Sequence, residues 1–364
     1  MTDPLKTYDT GVSAPPAPVS RKTYPIAGII TTVFGLDEIP AEATDVACLW
    51  LLHPRLATQE RMTPIASAVI SDWNQRLRDG RTNGPVKGLI AVAFDQRNHG
   101  SRLVDPLGNE AWRQGNPRHA QDMFAMFQGT ARDVSLLMDY LPSYVFPKAE
   151  RTVVDNLVLG VSLGGHAAWS CLLHEPRVSG GVVIIGCPDY VNLMADRARL
   201  SKIPSWTASS PPGARILGSE AFPASLLDTI RRYDPASYLL SHLDSPPEGG
   251  AALRTVPLPD PTEKEQLALR PVLARCLAGK KIMNLSGGAD KLVPYHRGEI
   301  FLAWLKRAIA PGGWFADGAV TLEDIIDQTA GHEVTPKMVQ EAVRFIGDTL
   351  AGGDESGSVR ESKI

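Results

Sequence analysis

Asp155-Asn156-Leu157-Val158-Leu159-Gly160-Val161-Ser162-Leu163-Gly164-Gly165-His166 is the stretch on which the reading of this chain turns. A short apolar run, Leu157 to Leu159, meets Gly160-Val161-Ser162-Leu163-Gly164, and a helix-compatible segment follows. Strand, sharp turn and helix in that order are the context in which G-x-S-x-G becomes a nucleophile elbow. The turn forces Ser162 into a strained backbone conformation, and side chains two residues before and after it would collide. Gly160 and Gly164 remove those side chains. The serine hydroxyl is then exposed at the top of a sheet. A pentapeptide of this kind also arises by chance, so the rest of the chain has to supply a base, an acid and an oxyanion site.

The flanking sequence alternates strand and helix patterns. Tyr24 to Phe34 is β-branched and strand-like, and Val46 to Leu52 is a continuous apolar run, the mark of a strand buried on both faces. Thr63-Pro64 opens a helix with Ile65, Val69, Trp73 and Leu77 on one side. Gly88 to Phe94 is a second buried strand, and a long helix over about 119–141 carries Met123, Phe127, Val134, Leu137 and Leu141 at helical spacing. After the elbow, 166–174 reads as helix and Gly181 to Gly186 as strand. Lys281 to Leu285 is a strand, 295–310 a helix, and a short strand falls within 319–328. Thr335-Pro336 caps a last helix with Val339, Val343, Ile346 and Leu350 inward. This alternation predicts an α/β, doubly wound, mostly parallel sheet. Ligands in such sheets bind beyond the carboxyl ends of the strands.

Ten of the 29 prolines lie between Pro204 and Pro261. Crossovers between strands are usually compact, so residues 190–275 read as an inserted lid, with Ser225 to Tyr233 as a candidate helix. The core is then 23–189 and 276–351, preceded by a polar, Pro-rich and disordered arm over 1–22 and followed by a flexible tail over 352–364.

A serine hydroxyl is a poor nucleophile at neutral pH. It needs a base to take its proton, and the base needs a partner to fix its tautomer. Asp290 lies 128 residues after Ser162, in a Gly-Gly-x-Asp turn behind a strand, and His332 lies 42 residues further, after Gly331. The order Ser…Asp…His is the one this scaffold uses. Asp189, after the preceding strand, is a reserve acid. The oxyanion of a tetrahedral intermediate needs two donors. The Leu163 N–H supplies one. The other comes from the loop after Val46–Leu52, where Pro54 has no N–H; of Arg55 and Leu56 we favour Arg55. His119, His166, His174, His242 and His296 have no metal-ligand partners at useful spacing and read as non-catalytic.

These segments together resemble the α/β-hydrolase superfamily. Five carry the likeness: His53-Pro54, Asp95-Gln96-Arg97-Asn98-His99-Gly100, Gly160-Val161-Ser162-Leu163-Gly164, Gly288-Ala289-Asp290-Lys291-Leu292-Val293-Pro294 and Gly331-His332. Many members have glycine where Pro54 stands. The resemblance implies that Arg97 and His99 brace the floor of the site. It also implies a carboxylesterase-like serine hydrolase that cleaves an ester, thioester or lactone. Acyl transfer on the same scaffold and a non-catalytic ligand-binding protein are the alternatives. No cofactor and no metal are expected, and the expected partner is a small-molecule acyl substrate, with the oligomeric state open.

Bulk properties narrow the classes further. The chain has 364 residues, 37 basic and 40 acidic, for a formal net charge of −3. No basic stripe suggests nucleic acid, and no run approaches a membrane span. Cys48, Cys171, Cys187 and Cys276 are far apart and form no C-x-x-C pair, so zinc or a disulfide framework is not expected. The first 21 residues lack an apolar signal core, which points to the cytoplasm. The terminal Ser362-Lys363-Ile364 resembles a serine–lysine–leucine peroxisomal address and makes the peroxisome the alternative.

Overall fold

Val46, Cys48, Trp50 and Leu52 point into one hydrophobic core and Ala47, Leu49 and Leu51 into another, which is the period-2 consequence of a strand covered on both faces. The computed structural model describes residues 3–11, 16–244, 253–352 and 359–363. Its sheet contains β1 (Arg21–Ile26), β2 (Ile29–Phe34), β3 (Asp45–Leu52), β4 (Lys87–Phe94), β5 (Thr152–Val161), β6 (Val178–Ile184), β7 (Lys281–Gly287), β8 (Thr321–Asp327) and β9 (Val359–Lys363). The strand order is β1-β2-β4-β3-β5-β6-β7-β8-β9. Only β2 runs against the rest; β1, antiparallel to β2, runs with them.

Eleven helices accompany it among the described residues: α1 (Lys6–Gly11), α2 (Thr63–Arg78), α3 (His119–Val145), α4 (Leu163–His174), α5 (Tyr190–Ser201), α6 (Pro204–Thr207), α7 (Ala224–Tyr233), α8 (Pro235–Leu240), α9 (Glu263–Leu277), α10 (Glu299–Ile309) and α11 (Pro336–Leu350). α2 and α11 cover one face of the sheet, and α3, α4 and α10 the other. No helix among the described residues is long and apolar enough to cross a membrane. All four cysteines are buried and free.

Several expectations are corrected. The strand expected over Tyr24 to Phe34 is a hairpin. Ala27 and Gly28, with φ of 49° and 78°, form its two-residue turn, as the right-handed twist of the paired strands favours. The arm expected to be disordered over 1–22 contains α1, and Arg21 and Lys22 already belong to β1. Leu5 and Tyr8 are buried in the α2/α11 core, and Arg61 pairs with Asp3 and Asp9. Residues 190–275, where Ser225 to Tyr233 is the candidate helix, hold α5 to α8 and most of α9, with α7 at the candidate. In the tail expected to be flexible, β9 pairs with β8, and Ser362 and Lys363 lie in that strand. Residues 353–358 and Ile364 fall outside the described residues.

The docking of the N-terminal segment has a thermodynamic signature. Leu5 is 1% exposed, so Leu5→Ala is expected to lower the unfolding free energy by about 2–5 kcal/mol. Denaturant melts check this; an undocked arm would leave the midpoint unmoved.

Candidate active site

β3 and β5 are paired in parallel with Leu52 opposite Gly160, so the loop after β3 lies beside the turn that ends β5. Ser162 occupies that turn at φ 54° and ψ −110°, a region that L-residues avoid. Its N–H donates to the Ile184 carbonyl at 2.9 Å, and its own carbonyl accepts from His166 N–H at 3.0 Å. The chain therefore leaves β5 and enters α4 with Ser162 as the single intervening residue. A Cβ on Gly160 would sit 1.9 Å from the Gly164 carbonyl oxygen, and one on Gly164 would sit 2.0 Å from the Leu52 oxygen. Both collisions are with backbone, which cannot rotate away.

The acid and base loops are knitted to each other before they reach the serine. Gly288 N–H donates to the Asp327 carbonyl at 2.7 Å and Ala289 N–H to the Ala330 carbonyl at 2.9 Å. Asp290 Oδ1 accepts from Leu292 N–H at 2.7 Å and Val293 N–H at 2.9 Å. Its Oδ2 lies 2.8 Å from His332 Nδ1, and His332 Nε2 lies 2.9 Å from Ser162 Oγ. Burial works to raise the Asp290 carboxyl, but the bond and charge of His332 and then the two N–H groups hold it below its ordinary value. Asp290 is thus an ionised acceptor, which assigns the proton to His332 Nδ1 and leaves Nε2 to accept from Ser162.

On the other side, the first turn of α4 presents the Leu163 N–H beside the β3 loop. His53 ties that loop to the floor. Gln96 N–H donates to His53 Nε2 at 2.9 Å, which leaves the Nδ1 proton facing the Pro54 carbonyl at 2.8 Å. Burial pushes this imidazole down to about 4, so it is a neutral strut. The guanidinium of Arg55 turns away and donates to the Asn109 carbonyl at 2.8 Å. Arg97 grips Asp133 through two bonds of 3.1 and 2.9 Å, and His99 Nδ1 bonds the Arg97 carbonyl at 3.0 Å.

Asp189 is not an acid for His332. It caps α5 by accepting Asn192 N–H at 3.1 Å and faces the Arg254 guanidinium at 3.4 Å. Asp234, which accepts from Tyr190 N–H at 3.0 Å, stands beside it and is raised by burial and by the Asp189 charge. Of the other histidines, His166 is held by the Cys187 carbonyl at 3.0 Å, His174 by Tyr233 and His242 by Tyr238. Among the described residues, no group of three or more His, Cys, Asp or Glu is placed to hold a metal.

Two contributions escaped the sequence reading. Val334 N–H donates to the Pro4 carbonyl at 2.7 Å and Thr7 Oγ1 to Glu333 at 2.5 Å, so the N-terminal segment clasps the loop that carries His332. Arg197 donates to the Leu292 carbonyl at 3.0 Å and holds the acid loop. Its signal was a lone cation at i+7 from Tyr190, on the apolar side of α5.

No protein-family model matches the chain, and no curated protein matches it. Among solved structures, TT1662 from Thermus thermophilus superposes with a TM-score of 0.52 at 18% identity, covering 93% of this chain and 100% of that one. The Pyrococcus furiosus esterase Pf2001 gives 0.42 at 14%, covering 96% and 98%. A ferulic acid esterase gives 0.44 at 13%, covering 92% and 96%. At these identities the likeness is one of fold. With its mostly parallel sheet, flanking helices and elbow after β5, the chain has the α/β-hydrolase fold.

The glycines give a direct check. Gly164→Ala is expected to cost about 3 kcal/mol of unfolding free energy. Gly331→Ala, whose new methyl would meet only Glu333 Oε1 at 3.8 Å, is expected to stay within about 0.5 kcal/mol. Equal effects in denaturant melts would refute the backbone-collision account.

Proposed function

We propose that the protein is a serine hydrolase that cleaves a carboxylic ester, thioester or lactone through an acyl-enzyme on Ser162. The observation that supports this reading is the unbroken relay from Ser162 Oγ to His332 Nε2 at 2.9 Å and from His332 Nδ1 to Asp290 at 2.8 Å. Ser162 Oγ attacks the acyl carbon while its proton passes to His332 Nε2. The imidazolium so formed is stabilised by ionised Asp290 and returns the proton to the leaving alcohol or thiol. Water, deprotonated by His332 in turn, releases the acid and restores the serine. Leu163 N–H and Arg55 N–H are the donors assigned to the oxyanion. Residues 190–275 are the lid of this reading, over a core of 23–189 and 276–351, and they set the choice of small-molecule acyl substrate.

Ser162→Ala is expected to abolish hydrolysis of an aryl ester and labelling by a fluorophosphonate. Asp290→Asn is expected to lower kcat about 10³- to 10⁴-fold by stabilising the wrong tautomer. Undiminished ester hydrolysis by folded Ser162→Ala protein would overturn the reading.

A further inference from the structure

Arg197 stands beside the triad without belonging to it. α5 turns Tyr190, Met194 and Arg197 to one side, at i, i+4 and i+7. The guanidinium there meets the sulfurs of Met123 and Met194, with Nη1 2.9 and 3.8 Å away. Nε and Nη2 both point at the Leu292 carbonyl, at 3.4 and 3.0 Å. Five N–H donors thus find one carbonyl oxygen and two weak thioether acceptors. The acids in electrostatic reach, Asp290 and Asp196, are already engaged. Asp290 is taken by His332 and two backbone N–H groups. Asp196 is bridged by Arg199 and Arg297. A guanidinium set against thioether sulfurs with no carboxylate partner is costly unless an anion joins it.

A second guanidinium acts on the same space. Arg55 is 8% exposed. Burial first, and the Arg197 charge second, push it down to about 10, while Glu110 is the acid that opposes them. The two arginines also act on His119 and His166, whose protonation burial already disfavours; His166 falls to about 3. Both rings are therefore neutral. His166 lies four residues past Ser162 on α4, and its Nε2 is buried with no hydrogen-bond partner. Arg197 itself is half-buried. The Leu292 whose carbonyl it holds gives its N–H to Asp290 at 2.7 Å, which fixes Arg197 at the side of the catalytic centre.

We propose that Arg197 forms a carboxylate-binding subsite beside Ser162, so that the enzyme prefers esters with a free carboxylate close to the scissile bond. The inference rests on the reading of Ser162 as the acyl-enzyme nucleophile. The planar guanidinium fork matches a carboxylate bidentately. A substrate anion there supplies the charge that the fold omits, and partial burial weakens the screening of its attraction to Arg197.

The test compares kcat/KM for aryl esters of matched length. One has a carboxylate on the acyl chain (an aryl hemisuccinate), one has it on the leaving group (a butyryloxybenzoate), and one is neutral (an aryl butyrate). The full-length protein is expected to favour one of the two anionic esters over the neutral one at least tenfold, and the favoured arm tells which side of the bond carries the acid. Arg197→Met is expected to cut that anionic-to-neutral ratio about thirtyfold or more, whatever it does to either rate alone. Arg197→Lys is expected to recover part of it. No anionic preference, or an equal fall on all three esters, would overturn the proposal and leave Arg197 as a positioning residue for the Asp290 loop. If Arg197→Met does not fold, binding of succinate to Ser162→Ala protein by calorimetry decides instead, and its absence overturns the subsite. A failure of fluorophosphonate to label Ser162 would sink the hydrolase reading alone, because that binding measurement is independent of turnover.

Discussion

The backbone of Ser162 at φ 54° is the constraint around which this molecule is arranged. A non-glycine residue in that conformation costs of order 1–3 kcal/mol and persists only where its surroundings over-determine it. Here the surroundings are three backbone segments stacked without side chains between them: the end of β3, the elbow, and the first turn of α4. Gly160 and Gly164 allow the contact. The register of Leu52 against Gly160 sets where it occurs. The two-sided burial of β3 and β5 makes the position immovable, because a slip of one residue would exchange the two cores.

The Asp290 and His332 loops on the far side follow the same logic of backbone contact. A Cβ on Gly287 would lie 2.4 Å from the Gly331 oxygen and 2.6 Å from the Ala330 oxygen, so the end of β7 abuts the backbone of the loop after β8. Asp290 and His332 therefore arrive as one unit and dock on the serine together. The electrostatics agree with this geometry. The imidazoles packed around the site, His53 and His166, are pressed toward the neutral form by burial, which leaves His332 as the ring that meets both a carboxylate and the nucleophile.

Ser162, Asp290 and His332 were legible in the chain because each sits in a local signal: a glycine-flanked turn, a Gly-Gly-x-Asp turn behind a strand, and a Gly-His before a proline-capped helix. What stayed hidden depends on distant partners. The hairpin turn Ala27-Gly28 lacks an Asn-Gly signature, so two strands read as one. Pro204 and Pro235, counted only as part of the proline-rich stretch, start α6 and α8 at their first positions. Asp189 resembled an acid because it follows a strand, yet its carboxylate faces the start of α5 and Arg254. The N-terminal arm was judged by its polar, proline-rich composition. Composition does not reveal that Leu5 and Tyr8 find places against helices more than 50 residues away.

The clasp of Pro4 and Thr7 on the loop after His332 also bears on the order of folding. Pro4 leaves the ribosome 330 residues before Val334, the donor it accepts from. Its segment must wait undocked while β3 to β8 assemble. Contacts so remote in sequence close late, because the loop entropy has to be overcome before they are rewarded. The loop that carries His332 is thus steadied by the segment around Pro4 only after β3 to β8 are in place, so late folding and the setting of the Ser162–His332–Asp290 geometry are coupled.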